Sequence, residues 1–225
     1  VRIYKRDVSS LSGWTKLGLD IDGETTNDYS GSSVSLSPDG STVAIGAYYN
    51  DGNGTNSGHV RIYKRDVSSL SGWTKLGQDL DGEAKYDRYG WSVSLSKNGN
   101  TVAIGAPYNN DAGNGSGHVR IYTYNSTNNV WTKLGEDING EAASDNSGWS
   151  VSLSDDGNTV AIGAPQYDND NESSGLVSIY KRDASNSSGW KKVGEDIYGE
   201  AKGGGSGYSV SLSSDGSTVA IGAPD

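Results

Sequence analysis

The sequence predicts an all-β fold: a four-bladed β-propeller of four-stranded antiparallel blades, closed by a split blade that the N- and C-terminal strands form together. Three observations carry that expectation. One phrase is written four times: "SSVSLSPDGSTVAIGAY" from Ser32, "WSVSLSKNGNTVAIGAP" from Trp91, "WSVSLSDDGNTVAIGAP" from Trp149 and "YSVSLSSDGSTVAIGAP" from Tyr208. A second phrase, "VRIY", stands at Val1, Val60 and Val119, with "VSIY" at Val177, giving a period of 59, 59 and 58 residues. Inside both phrases apolar and polar residues alternate, and helical periodicity is absent.

Residues 89–138 show the unit. The first strand is "WSVSLS" and the second "TVAIGAP", joined at Asn98-Gly99. Asn-Gly between alternating runs predicts a hairpin whose two turn residues both take φ > 0, and the other copies place Asp39-Gly40, Asp156-Gly157 and Asp215-Gly216 there. A two-residue turn pairs Lys97 with Asn100, Leu95 with Val102, and Val93 with Ile104. One face of the hairpin is then Val93, Leu95, Val102 and Ile104, and the other is Ser92, Ser94, Ala103 and Gly105. A bulky face and a slender face let each sheet nest on the next. A loop rich in Asn, Asp and Gly leads to a third strand, "HVRIYTY". The fourth strand carries the column Trp14, Trp73, Trp131 and Trp190, read as packing rather than ligand stacking.

The chain opens on a third strand and closes on a second. Residues 1–225 are therefore expected to form a single domain, with blades near 31–80, 89–138 and 148–197 and a fourth from 207–225 together with 1–24. Such a split blade would remove exposed sheet edges. The absence of a leading Met makes the chain an expected processed or excised part of something longer.

Composition narrows the function. There is no Cys, which excludes disulfides and thiol chemistry, and no Phe, so 6 Trp and 14 Tyr must supply aromatic burial. A net charge of -10 argues against nucleic acid, whose phosphates need clustered Lys and Arg. Apolar runs such as "TVAIGA" are far shorter than the ~20 residues of a membrane-spanning helix.

In "SVSLS", "TVAIGAP" and "GHVRIYKR"-like phrases the chain resembles the FG-GAP repeats of integrin-alpha-like propellers, over nearly its whole length. The "SPDGSTVA" hairpin is also similar to phrases in WD-repeat and TolB-type propellers. The FG-GAP resemblance implies an extracellular or cell-surface adhesion or ligand-binding module rather than an enzyme. Family members often carry a DxDxDG calcium loop between their first two strands. Here that loop is reduced to the pairs at Asp39, Asn98, Asp156 and Asp215, too few oxygens for calcium, so that site is not inherited.

Two acidic features remain as calcium candidates, calcium being the one cofactor the sequence leaves open. After each Trp strand recur Asp20, Asp79, Asp137 and Asp196, with Glu24, Glu83, Glu141 and Glu200 close behind. The plainer reading is that they bond turn amides and fasten one blade to the next. Asp28, Asp87 and Asp145 also recur, with Gly204 in the fourth copy. The third loop between second and third strands gathers Asp168, Asp170 and Glu172, oxygen-rich enough for calcium. Sequons at Asn53, Asn114, Asn125, Asn171 and Asn186 fall in expected loops and are candidate glycosylation sites. His59 and His118 share a repeat position with Leu176 and read as inert strand-entry residues. No Ser-His-Asp set, HExxH or phosphate loop occurs, and no catalytic residue is expected.

The leading expectation is a non-enzymatic extracellular propeller for adhesion, scaffolding or assembly, with self-association into a fibre or surface array as its specific form. The alternative is a calcium-dependent glycan- or protein-binding module, contacting its partner through Tyr48, Tyr49, Tyr108 and Tyr167.

Overall fold

The computed structural model describes residues 1–9, 11–168 and 173–224, and every regular element in them is a β-strand. A short sheet of β1 (Tyr4–Arg6) and β2 (Trp14–Lys16) comes first. The first full blade holds β3 (Ser33–Leu36), β4 (Thr42–Ala47), β5 (His59–Arg65), β6 (Trp73–Lys75) and β7 (Leu80–Asp81). The second holds β8 (Ser92–Leu95), β9 (Thr101–Ala106), β10 (His118–Asn125), β11 (Val130–Lys133) and β12 (Ile138–Asn139). The third holds β13 (Ser150–Leu153), β14 (Thr159–Ala164), β15 (Leu176–Arg182), β16 (Trp190–Lys192) and β17 (Ile197–Tyr198). A two-stranded sheet of β18 (Ser209–Leu212) and β19 (Val219–Gly222) ends the order.

The expected pairing is realised: Leu95 lies opposite Val102 and Val93 opposite Ile104, and each blade repeats that register. The turn chemistry differs from the expectation. Gly99 takes φ +66° but Asn98 does not join it in the left-handed region; the Gly99 amide donates to the Ser96 carbonyl. The Asn98 side chain then does the rest, its Oδ1 accepting from the Ser96 hydroxyl and the Asn100 amide. Only the glycine needs the unusual backbone, so Asp serves equally well in the other copies. The fourth strand is also more broken than expected. In the first blade, β6 pairs the end of β5 and β7 pairs its start, with Gly77 at φ +73° between them.

Neighbouring blades nest as their two faces predict. Leu95, Val102 and Ile104 of the second blade pack with Ala44, Val60 and Ile62 of the first. The same layer recurs one blade on, where Val151, Leu153, Val160 and Ile162 meet Ala103, Val119 and Ile121. A polar code runs through each interface. Ser33, Ser92 and Ser150 donate their hydroxyls to the carbonyls of Gly90, Gly148 and Gly207 at 2.6, 2.8 and 2.7 Å. The amides of Leu95, Leu153 and Leu212 donate to the hydroxyls of Ser35, Ser94 and Ser152, each at 2.9 Å. The Trp column fills the outer part: Trp73, Trp131 and Trp190 are buried, and their indole N–H groups donate to the carbonyls of Leu17, Leu76 and Leu134 in the preceding unit. These three tryptophans are packing residues, as expected.

The first strands of successive blades, β3, β8, β13 and β18, lie against one another and so form the inner edge of the array. The β1–β2 and β18–β19 sheets remain separate two-stranded sheets.

Candidate functional site

The acidic phrase lies between blades. Glu83 reaches forward to Arg120 of the next blade, while Arg120 bonds Asp137 of its own blade through Nε and a terminal nitrogen at 2.8 and 2.7 Å. Burial alone would raise the Asp137 carboxyl, but the hydrogen bonds from Arg120 and Lys133 outweigh it and hold the group at about 2. Glu24 meets Arg61 at 3.3 Å in the first copy, and Glu141 meets Lys192 at 2.7 Å in the third. Asp79 accepts from Lys75, Asp196 from Ser178 and Lys192, and Asp20 pairs with Arg2 and Lys16. Each of these calcium candidates thus serves a cation or hydroxyl that ties one strand or blade to another. Asp28 and Asp87 are buried and accept from the amides of Thr25 and Ala84, as well as from the side chains of Asn50 and Asn109.

His59 and His118 open β5 and β10, the strand-entry positions read from the sequence. Both are fully buried at strand entry, and Nδ1 of each faces carboxylates: Glu24 and Asp81 at 3.9 Å, and Asp111 at 3.7 Å. Two trios, Glu24–His59–Asp79 and Asp111–His118–Asp137, bring metal-ligating atoms together. Arg61 and Arg120 stand in the same two places and engage the carboxylates. Burial, then the Arg120 charge, lowers the His118 imidazole to about 4.

Asp168 accepts from the Ser173 amide, while Asp170 and Glu172 lie outside the described residues, as does the sequon residue Asn171. Asn53 donates its side-chain amide to the Gly82 carbonyl at 2.8 Å, and Asn114 is exposed. Asn125 ends β10 rather than lying in a loop, and Asn186 is half-buried, its Oδ1 accepting from Ser188.

A different feature emerges at one end of the inner strands. Trp91, Trp149 and Tyr208 stand just before β8, β13 and β18, so the blade-to-blade stacking of those strands brings their rings side by side. Ring centroids run Tyr29 to Tyr49 at 5.1 Å, Tyr49 to Tyr48 at 4.6 Å, Tyr48 to Trp91 at 4.8 Å, Trp91 to Trp149 at 4.7 Å and Trp149 to Tyr208 at 5.6 Å. Tyr108 fills the angle between Trp91 and Trp149. The Arg88 guanidinium lies over this row, 4.1 Å from the Tyr108 centroid and 5.2 Å from that of Tyr49. Of the four tyrosines read as contacts, Tyr48, Tyr49 and Tyr108 are in the row; Tyr167 pairs instead with Tyr198 at 5.8 Å.

The backbone supporting the row is unusual. Tyr29 and Arg88 take φ +56° and +55°, at the repeat position held by Asn146 and by Gly205. Left-handed backbone costs a bulky residue about 1–2 kcal/mol, so two large side chains are kept where Asn or Gly suffices. Beside the row opens a cleft of about 660 Å³, in which Tyr29 and Tyr49 face Glu24, Asn50 and Asp51. Sequence reasoning missed Tyr29, Arg88, Trp91, Trp149 and Tyr208. The available signal was the recurrence of an aromatic before "SVSLS".

A family model described as FG-GAP repeat matches residues 20–63, 80–122 and 139–180. No curated protein matches the sequence. Among solved structures, the periplasmic gluconolactonase PpgL of Pseudomonas aeruginosa aligns over 99% of this chain and 57% of its own, at 15% identity and TM-score 0.58. Sqt1 of Saccharomyces cerevisiae aligns over 83% of this chain and 39% of its own, at 13% identity and TM-score 0.52. A structure described as a putative 6-phosphogluconolactonase from Bacteroides fragilis aligns over 84% and 40%, at 13% identity and TM-score 0.50. The chain thus spans little more than half the length of these structures or less, and the likeness is one of fold. It corrects one expectation. The sequence reading excluded an enzyme because the repeats are uniform and no singular constellation stands out; yet two of these three neighbours are described as lactonases, so a fold of this kind does not exclude catalysis.

Proposed function

The chain belongs to the FG-GAP repeat family, and from that premise we propose that it is an adhesion-type recognition module that binds carbohydrate along the aromatic row at its inner edge. The observation that carries this reading is the continuous run from Tyr29 through Tyr48, Tyr49, Trp91 and Trp149 to Tyr208, with Arg88 laid over it. Indole and phenol faces stack on the C–H faces of sugar rings, and the tyrosine hydroxyls hydrogen-bond their rims. The adjoining cleft adds Glu24, Asn50 and Asp51, groups that accept from and donate to sugar hydroxyls. The left-handed backbone at Tyr29 and Arg88 supports the same reading, because both side chains held there extend or cover the row. An extracellular or cell-surface setting fits the adhesion role.

The test is a glycan array followed by titration calorimetry on the best ligand, in calcium and in chelator. Trp91→Ala and Trp149→Ala are expected to weaken binding at least about tenfold each while leaving the fold intact. Silence across the array, or a ligand bound equally by both variants, refutes the reading.

A second reading, hydrolysis of a sugar lactone, is favoured by the likeness of fold to periplasmic gluconolactonase. It shares the sugar-derived ligand. Turnover of gluconolactone above the buffer rate, reduced in Trp91→Ala, would support it, and a rate equal to buffer would remove it.

A further inference from the structure

The histidine position of the repeat brings an acid with it, from a different place each time. His59 and His118 open the third strands of the first two blades, and the third blade has Leu176 there. Across the sheet, Asp81 stands opposite His59, Asn139 opposite His118 and Tyr198 opposite Leu176. What the second copy lacks on β12 it gains in the loop between β9 and β10, where Asp111 takes the place of Gly52. Asn109 sets that loop. Its buried side chain donates to Asp87 through Nδ2, and its Oδ1 accepts from the Asp111 amide at 2.9 Å. Asp111 is thereby held beside the strand entry, with its side chain half-exposed.

Three groups meet at this point. The ligating atoms of Asp111, His118 and Asp137 lie within 4.8 Å of one another. His118 is 1% exposed, and its Nδ1, 3.7 Å from Asp111 Oδ2, has no hydrogen-bond partner among the described residues. A buried polar atom left so costs about 1–3 kcal/mol. The spacing points to what satisfies it. A separation of 3.7 Å is too long for a hydrogen bond. Two atoms bonded to one first-row cation at ~2.1 Å stand ~3.4 Å apart at the tetrahedral angle, so a small inward shift of the exposed Asp111 suffices.

Arg120 shares Asp137 without closing the site. Its guanidinium also pairs with Glu83, so yielding one of its two bonds to Asp137 leaves no bare charge. The first copy is built differently. There the buried nitrogen without a partner is His59 Nε2, not the Nδ1 that faces Glu24 and Asp81 at 3.9 Å.

We propose that Asp111, His118 and Asp137 bind a divalent first-row cation of the zinc class, with water completing its coordination on the exposed Asp111 side. One imidazole nitrogen with two carboxylates suits zinc and its neighbours, whereas calcium takes six to eight oxygens. The cation pins the β9–β10 loop to the start of β10 and to the segment before β12. It is independent of sugar binding along the aromatic row.

Titration calorimetry of the tag-free chain, stripped with chelator and then given zinc, calcium or magnesium chloride, tests the proposal. One zinc ion per chain is expected at micromolar affinity, with the imidazole NMR signals of His118 shifting and those of His59 unmoved. Asp111→Asn changes an exposed side chain, so the zinc-free melting temperature should match wild type while zinc affinity falls at least about tenfold. His118→Gln should weaken zinc as much. Absence of zinc binding up to millimolar concentration overturns the proposal, as does calcium bound as tightly as zinc. Zinc affinity unchanged in Asp111→Asn, or His59 signals shifting in place of those of His118, overturns it too.

Discussion

Gly105→Ala tests the nesting of the blades at its tightest point. Gly105 sits on the slender face of β9, and an added Cβ would stand 2.9 Å from the carbonyl carbon of Gly148 and closer still to its oxygen. The backbone of Gly105 is outside the left-handed region, so alanine fits its φ and would by itself stabilise the strand by about 0.5–1 kcal/mol. The wall it meets cannot rotate away. The Gly148 oxygen accepts from the Ser92 hydroxyl at 2.8 Å, and its amide donates to Gly163 at 3.1 Å. Relief therefore requires the third blade to retreat by on the order of 1 Å, which forfeits a quarter to a half of the dispersion attraction along that interface. The Ser92 hydrogen bond, a further ~1 kcal/mol, weakens with it. Overpacking of this kind costs about 1–3 kcal/mol and more against a rigid wall, and about 3 kcal/mol is expected here. For a chain of this size that is a fall in Tm of roughly 6–12 °C. Urea titration followed by tryptophan fluorescence reads it, with Gly222→Ala in dilute solution as control, expected within about 1 kcal/mol of wild type because only Ser209 need move. Equal stability of Gly105→Ala and wild type would show that the blades do not nest as described.

Other expectations follow from the same contacts. Arg120→Ala strands Glu83 and strips Asp137 of two hydrogen bonds, and should cost about 3–5 kcal/mol by urea titration, whereas Arg2→Ala, at a fully exposed pair, should leave the urea midpoint close to that of wild type. His118 is neutral and buried, its folded value near 4 lying below the unfolded 6.5, so the unfolded chain binds the extra proton first. Stability is whole above pH 6.5 and should decline by up to about 3 kcal/mol as pH falls to 4, a decline that His118→Asn should flatten in pH-dependent thermal melts. Asp215, held near 2 by the hydroxyls of Ser213 and Ser217 and the Ser217 amide, adds a loss only as pH falls from the ordinary carboxylate range toward 2; Asp215→Asn should remove it from the acid limb. Trp131→Ala empties a buried site and orphans the Leu76 carbonyl, for about 3–5 kcal/mol in the same titration.

How much was legible in advance is shown by two stretches with the same letters. Residues 1–18 and 60–77 both read "VRIYKRDVSSLSGWTKLG". Local chemistry decides the same hairpin in both: Tyr4 pairs with Lys16 as Tyr63 does with Lys75, and Asp7 and Asp66 cap the same serine turn. The period, the strands, the register and the two-faced sheets likewise follow from alternation and turn residues, which act over a few positions. Burial does not. Trp14 is 55% exposed and Trp73 4%, the Trp73 indole N–H donating to the Leu17 carbonyl of the neighbouring unit. Arg2 meets Asp20 in solvent, while Arg61 is buried against Glu24 from 37 residues away in sequence. The aromatic row is of the same kind. Tyr48, Trp91, Trp149 and Tyr208 come from successive blades, with Tyr29 beside Tyr48 in the first, and only the stacking of inner strands brings these rings within 6 Å of one another in turn. Short-range alternation and turn chemistry therefore sufficed to write the unit, whereas the neighbours of any side chain depend on which unit stands beside it, and that is decided only when the units pack.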